Sequence, residues 1–183
     1  MEKLVLIDGH SILNRAFYGV PNLTNSEGLH TNAVYGFLNI LFKVLDEEKA
    51  DYLAVAFDLK APTFRHKMFD AYKGTRKPMP EELHEQVPLM KEVLTAMGVP
   101  ILTKEGYEAD DILGTIAKRE QKDGYEVTIL SGDRDLLQLS DTHIRICLPK
   151  TSRGTTEVHN YYPEDVIREY QVTPEQFIEV KAL

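Results

Sequence analysis

KLVLIDGHSILNRAFY, residues 3–18, is an apolar run that stops at an acid and passes through Gly-His-Ser into a segment with helical spacing. An unbroken apolar run with no polar alternation belongs to a strand buried on both faces, the habit of parallel sheets. The same sentence is written again downstream. DYLAVAFD (51–58) and YEVTILSGD (125–133) are apolar runs that end in an acid; VPILTKE (99–105) and THIRICLP (142–149) read as two further strands. Helical patterns fill the gaps. AVYGFLNILFKVLDEE (33–48) predicts a long helix. PEELHEQVPLMKEVLTAMG (80–98) starts at Pro80 and ends at Gly98, and Pro88 inside it predicts a kink or two short helices. EADDILGTIAKREQKDG (108–124) carries acids at its start and bases toward its end, as the helix dipole prefers. RDLLQLS opens another helix, TSRGTTEVHN (151–160) reads as a hairpin or exposed loop, and YPEDVIREYQ and TPEQFIEVKAL as two short helices. Strand and helix alternate, which predicts an α/β fold with a mostly parallel central sheet, in a single domain over 1–183.

No apolar run approaches the roughly 20 residues of a membrane helix. The single cysteine, Cys147, rules out an internal disulfide and reads as a buried strand residue in a reducing compartment, so the expected location is cytoplasmic. The net charge of −8 argues against a nonspecific nucleic-acid binder. Net charge averages over the surface, however, and its distribution decides more than its sum.

Parallel sheets place ligand sites at the carboxyl ends of their strands. Asp8, Asp58 and Asp133 stand where apolar runs stop; Asp135 lies just beyond Asp133, and Glu108, Asp110 and Asp111 open a helix. Glu108 and Asp111, three apart, share a helix face, and Asp110 points elsewhere. Each acid alone has a plain reading as a helix cap or a turn residue. If the strands are parallel neighbours, though, four separate segments deliver acids to one edge, which capping does not explain. Such a cluster repels itself unless cations lie within it. Oxygen donors without His or Cys suit Mg²⁺ or Mn²⁺, and two such ions about 4 Å apart would serve phosphodiester cleavage.

APTFRHKMFDAYKGTRKPMP (61–80) is the most basic stretch, with aromatic residues between its cations. Lys73 and Arg76 can meet a phosphate, and Tyr72 can stack on a base or terminal nucleotide. The alternative is a solvated surface loop. Phe57, Phe64 and Phe69 are expected in the core, and His10, His66, His84 and His159 show no metal-like pairing.

VLIDGHSILNRAFY, AVAFD, FRHKMFDAYKGTRKPMP, EGYEADDILGTIA and ILSGDRDLLQL, in this order, resemble the 5′ nuclease domain of bacterial DNA polymerase I, within the flap endonuclease family. The resemblance implies a PIN-like three-layer fold with a helical arch over 72–97. It implies a metal-dependent, structure-selective enzyme that removes RNA primers and 5′ flaps of DNA in replication and repair. By resemblance, Asp8, Asp58, Glu108 and Asp110 would bind one metal ion, while Asp111, Asp133 and Asp135 would lean toward a second. Lys73 would stabilise the scissile phosphate with help from Arg76, Tyr72 would stack near the 5′ end, and Arg65 is a weaker candidate for phosphate contact. In the family, the stretch like FIEVKAL runs on into further metal-ligand aspartates and a helix–hairpin–helix that grips duplex DNA, followed by polymerase domains. This sequence stops at Leu183, so an incomplete second metal site and weakened duplex binding are expected. A catalytically impaired module that binds 5′ ends or flaps is the second reading. A small-molecule phosphotransfer enzyme is a third, and it leaves the basic aromatic stretch unexplained.

Overall fold

The computed structural model describes residues 1–152 and 155–183. Among the described residues the strands form one six-stranded sheet in the order β3-β2-β1-β4-β5-β6. The strands are β1 (Lys3–Asp8), β2 (Tyr52–Ala56), β3 (Ile101–Leu102), β4 (Glu126–Leu130), β5 (Ile144–Ser152) and β6 (Thr155–Tyr161). β3, β2, β1, β4 and β5 pair in parallel, and β6 returns antiparallel on β5. That antiparallel pair settles 151–160 in favour of a hairpin; residues 153 and 154 lie outside the described residues.

The unbroken apolar runs are explained by cover on both faces. Val5, Ile7, Val55, Phe57 and Leu130 pack on one side against α1 (Gly9–Gly19), α2 (Asn32–Glu48) and the helical pair α4 (Glu81–His84) and α5 (Gln86–Ala96). Their sequence neighbours Leu6, Ala54, Ala56, Val127 and Ile129 pack on the other. There they meet α6 (Ala109–Lys122), a 3₁₀ helix (Arg134–Leu139), α7 (Pro163–Tyr170) and α8 (Pro174–Ala182). A short α3 (Phe64–Met68) lies outside both layers, with no buried residue.

Several boundaries move. The strand expected over 99–105 shrinks to Ile101–Leu102 at the sheet edge, and RDLLQLS forms a 3₁₀ helix. Pro88 acts three residues upstream of itself: its missing N–H and its ring disturb the turn bonded to His84, and the helix breaks at Glu85. Leu83, Met90 and Leu94 are fully buried in the α1–α2 layer. Within the arch expected over 72–97, therefore, residues 81–96 lie on the core and the exposed part is 74–79. Gln86 anchors this segment. Fully buried, it donates to Asn32 Oδ1 at 2.9 Å and accepts from the backbone N–H groups of Ala33 and Val34 at 2.8 and 3.2 Å.

Candidate active site

The carboxyl ends of β1, β2 and β4 lie side by side, since β1 pairs with both others. Each acid is held there by the N–H groups at the start of a helix. Asp8 caps α1, accepting from Ser11 N–H at 3.4 Å, and its other oxygen accepts from Ser131 Oγ at 2.9 Å. Asp58 accepts from Ala109 N–H, at the start of α6, at 2.6 Å. Asp133 caps the 3₁₀ helix through Asp135 N–H at 2.8 Å. Capping and site-building are thus one arrangement: an acid at a strand end, aimed at the N–H groups of a helix start, is also aimed at the sheet edge.

Asp110 reports how crowded this edge is. Burial, followed by repulsion from Asp8, Asp133, Asp58 and Glu108, pushes its carboxyl up to about 8. Burial pushes Asp8 up to about 6, against the lowering effect of Ser131 and Ser11. The other four carboxylates, which with Asp110 come from four segments, therefore lie within electrostatic reach of it. Asp111 and Asp135 are turned to cations instead. The Arg65 fork donates to both oxygens of Asp111 at 2.8 Å and holds its carboxyl below the ordinary range, and Asp135 pairs with Lys181 at 2.8 Å.

Glu108 joins the acids to the basic stretch. It is 8% exposed and accepts from Arg65 at 2.7 Å, from the Tyr72 hydroxyl at 3.2 Å and from the Lys73 ammonium. Lys73 adopts a left-handed backbone (φ 56°) just before Gly74. Its ammonium keeps its proton more firmly than a free lysine: burial opposes this, and the Glu108 hydrogen bond and charge outweigh it. Arg76 is exposed beyond this cluster. Phe57 is buried as expected, but Phe64 and Phe69 are 37% and 64% exposed, because α3 has no layer to pack under.

Among the described residues no group of three or more His, Cys, Asp or Glu side chains is arranged to hold a metal ion as it stands. The cause is visible in the contacts: Glu108 is occupied by three donors, and Asp58 is held by Ala109. The donor chemistry still fits a hard dication, since the converging groups are carboxylates without Cys and the raised pKa values of Asp110 and Asp8 are what cation binding relieves.

Three contributors are not singled out by the sequence for this role. Ser11 and Ser131 tie the first and fourth strand ends together: Ser131 bonds Asp8, and Ser11 Oγ accepts from Gly132 N–H at 2.8 Å. His10 accepts from Asp58 N–H at 3.3 Å through Nδ1, and burial lowers its pKa. The flanking of GHS and SGD by acids was the only hint of the serines.

The family model for the 5′-3′ exonuclease N-terminal resolvase-like domain matches residues 3–171. The chain belongs to this family. A DNA polymerase I of Bacillus caldotenax is 49% identical over 182 residues, covering 100% of this chain and 20% of that protein. The chain thus spans about one fifth of the length of the curated relative it matches. A bacteriophage T5 5′-exonuclease with bound zinc is similar at a TM-score of 0.72 and 23% identity, covering 100% of this chain and 66% of that one. A T5 flap endonuclease in a pseudo-enzyme–product complex with DNA and metal ions gives 0.70 and 22%, covering 99% and 65%. At these identities the likeness is one of fold, that of a mostly parallel sheet between helical layers.

Proposed function

We propose that this chain is a divalent-metal-dependent 5′ nuclease that hydrolyses phosphodiester bonds at 5′ ends and 5′ flaps of DNA and at RNA–DNA primer junctions, in the company of a polymerase. The observation that carries the reading is the row of Asp8, Asp58, Glu108, Asp110 and Asp133 at one sheet edge, faced by Lys73, Tyr72 and Arg65. The family of the chain, the polymerase relative and the metal- and DNA-bound T5 proteins of the same fold all support it.

Asp8, Asp58, Asp110 and Asp133, with Glu108 once freed from its donors, would hold Mg²⁺ or Mn²⁺. Bound there, a hard dication supplies Lewis-acid contact to a phosphate oxygen and an acidified water. Lys73 places a positive charge beside Glu108, where the scissile phosphate would lie, and can exchange that carboxylate for the phosphate. Arg76, exposed and close in sequence, offers a fork for a neighbouring phosphate. Tyr72 meets His66 edge-on at 5.1 Å and has the Lys73 ammonium 5.2 Å from its ring centroid; a terminal base would stack on this ring. Arg65, engaged by two carboxylates, acts as the clamp that orients Glu108 and Asp111.

A second reading has its own observation: Asp111 and Asp135, two of the three acids expected to lean toward a second ion, are each held by a cation. On that reading the chain recognises flaps and cuts poorly. Incubation of a labelled 5′-flap substrate with and without Mg²⁺ or Mn²⁺ decides. Metal-dependent cutting that disappears in Asp58→Ala supports the nuclease; flap binding with no cutting at any metal concentration supports the binding module; neither binding nor cutting removes both.

A further inference from the structure

The carboxylate row has cations on both faces of the sheet, and the two sets differ in what holds them. On the α6 face, Arg65 and Lys73 are neutralised by Glu108 and Asp111. On the α1–α5 face, Lys91 of α5 places its ammonium 5.1 Å from the Phe57 ring, and His10 meets the same ring edge-on at 5.2 Å. Phe57 directly precedes Asp58, and His10 bonds the Asp58 backbone, so Lys91 stands beside the acid row. Lys60, two residues past Asp58, is exposed, and its ammonium lies 3.4 Å from His84 Nε2 at the end of α4. Beside Lys60 an open cleft of about 580 Å³ runs between Leu59–Pro62 and the turn from His66 to Asp70.

Among the described residues, neither Lys60 nor Lys91 has a carboxylate within ion-pair distance. In a chain where Asp and Glu outnumber Lys and Arg by 29 to 21, two lysines without acidic partners beside the densest group of acids are informative. Charge left uncompensated within the fold is available to an anion from outside it. The arrangement suits a polyanion: a strand that crosses the sheet edge meets Lys73 on one face, the acid row at the edge, and Lys91 and Lys60 on the other.

We propose that Lys60 and Lys91 bind backbone phosphates of the nucleic-acid strand where it leaves the acid row over α4 and α5. The proposal rests on the nuclease reading and deepens it, by giving the strand a second point of purchase and hence a direction across the site. The contacts are to phosphate, so they carry no sequence preference and are salt-dependent.

The test is binding of a 3′-labelled 5′-flap DNA by fluorescence anisotropy in chelator, across about 50–200 mM salt, with cleavage measured separately in Mg²⁺. Lys60→Ala and Lys91→Ala are each expected to weaken binding roughly three- to ten-fold. Each should flatten the plot of log K against log salt by about 0.7–0.9, the share of one phosphate contact. KM should rise with kcat nearly unchanged, and Lys60→Arg and Lys91→Arg should restore both. Lys122→Ala, at the far end of α6, should change nothing. Should Lys91→Ala lower the melting temperature, Lys91→Gln keeps the stem over Phe57 without the charge, and the same weakening is expected of it. A Lys60→Ala/Lys91→Gln double variant with wild-type affinity and salt slope overturns the proposal and leaves the nuclease reading standing. A wild-type chain that neither binds nor cuts flap DNA overturns both.

Discussion

Asp110→Asn removes the most strained carboxyl of the site while nearly preserving its shape. In the metal-free protein the Asp110 carboxyl is raised from 3.8 to about 8, by burial first and then by its acidic neighbours. An acid whose folded value is raised stabilises the fold below its unfolded value, and that contribution is lost as pH climbs through the folded value. The window is therefore about pH 4 to 8. At about 1.4 kcal/mol per pH unit, the loss across it is on the order of 5 kcal/mol. Asp8, raised to about 6, adds a loss of the same sign below pH 6. His10 is lowered from 6.5, so its contribution has the opposite sign: stability is lost as pH falls below 6.5. Comparison with the Asn variant cancels the His10 contribution, which does not involve Asp110. The assay is urea unfolding in chelator at pH 4.5, 6, 7 and 8.5. Wild type should lose stability through the series, and the gap in favour of Asp110→Asn should widen to several kcal/mol by pH 8.5. Mn²⁺ should then narrow the gap, adding about 2.7 kcal/mol to wild type at one hundred times its Kd and much less to the variant. A wild-type stability that is flat or rising between pH 4 and 8 in chelator, or a variant within about 1 kcal/mol of it at pH 8.5, would refute the reasoning from burial and repulsion.

Lys73→Ala should lower single-turnover cleavage of flap DNA by about 10²–10³-fold, the usual cost of one preorganised charge donor, with an unchanged circular dichroism spectrum. Arg65→Lys exchanges a fork shared by two carboxylates for a single ammonium. It should cost about 1–3 kcal/mol, read as a melting temperature lower by roughly 2–4 °C per kcal/mol. Gly9→Ala would place a Cβ 2.5 Å from the Phe57 ring, next to Asp8. It should destabilise by about 1–3 kcal/mol and weaken Mn²⁺ uptake measured by calorimetry; wild-type values for both would show that the ring can yield. Gln86→Leu strips the Ala33 and Val34 N–H groups and Asn32 of their buried partner. A loss of about 2–4 kcal/mol is expected by urea unfolding.

The acid at the end of β1 and the acid at the start of the 3₁₀ helix were legible because period and punctuation are local: an apolar run that stops at Asp8 or before Asp133 announces a strand end whatever surrounds it. The two-face burial of β1 and β2 was equally legible, since Val5 and Leu6 must both be covered. Less legible was the fate of 99–105, where two residues pair at the sheet edge and the rest are loop. An edge strand has half the partners, and its length depends on how far β2 extends beside it. Phe64 and Phe69 misled for a similar reason. Aromatic content signals burial only where a layer exists to provide it, and α3 has none.

What the chain's order of residues determined by itself was the alternation of elements, the parallel sheet, and the delivery of Asp8, Asp58, Glu108, Asp110 and Asp133 to strand and helix ends. Each of those follows from hydrophobic period, capping chemistry and turn residues within a few positions. Only the tertiary structure decided which carboxylates face one another and which are given to cations. Asp110 and Asp111 are adjacent, yet one is raised by burial and by repulsion from its acidic neighbours and the other lowered by Arg65, forty-six positions away. Coulomb forces act through space over a few ångströms, and it is folding, not sequence distance, that sets those separations.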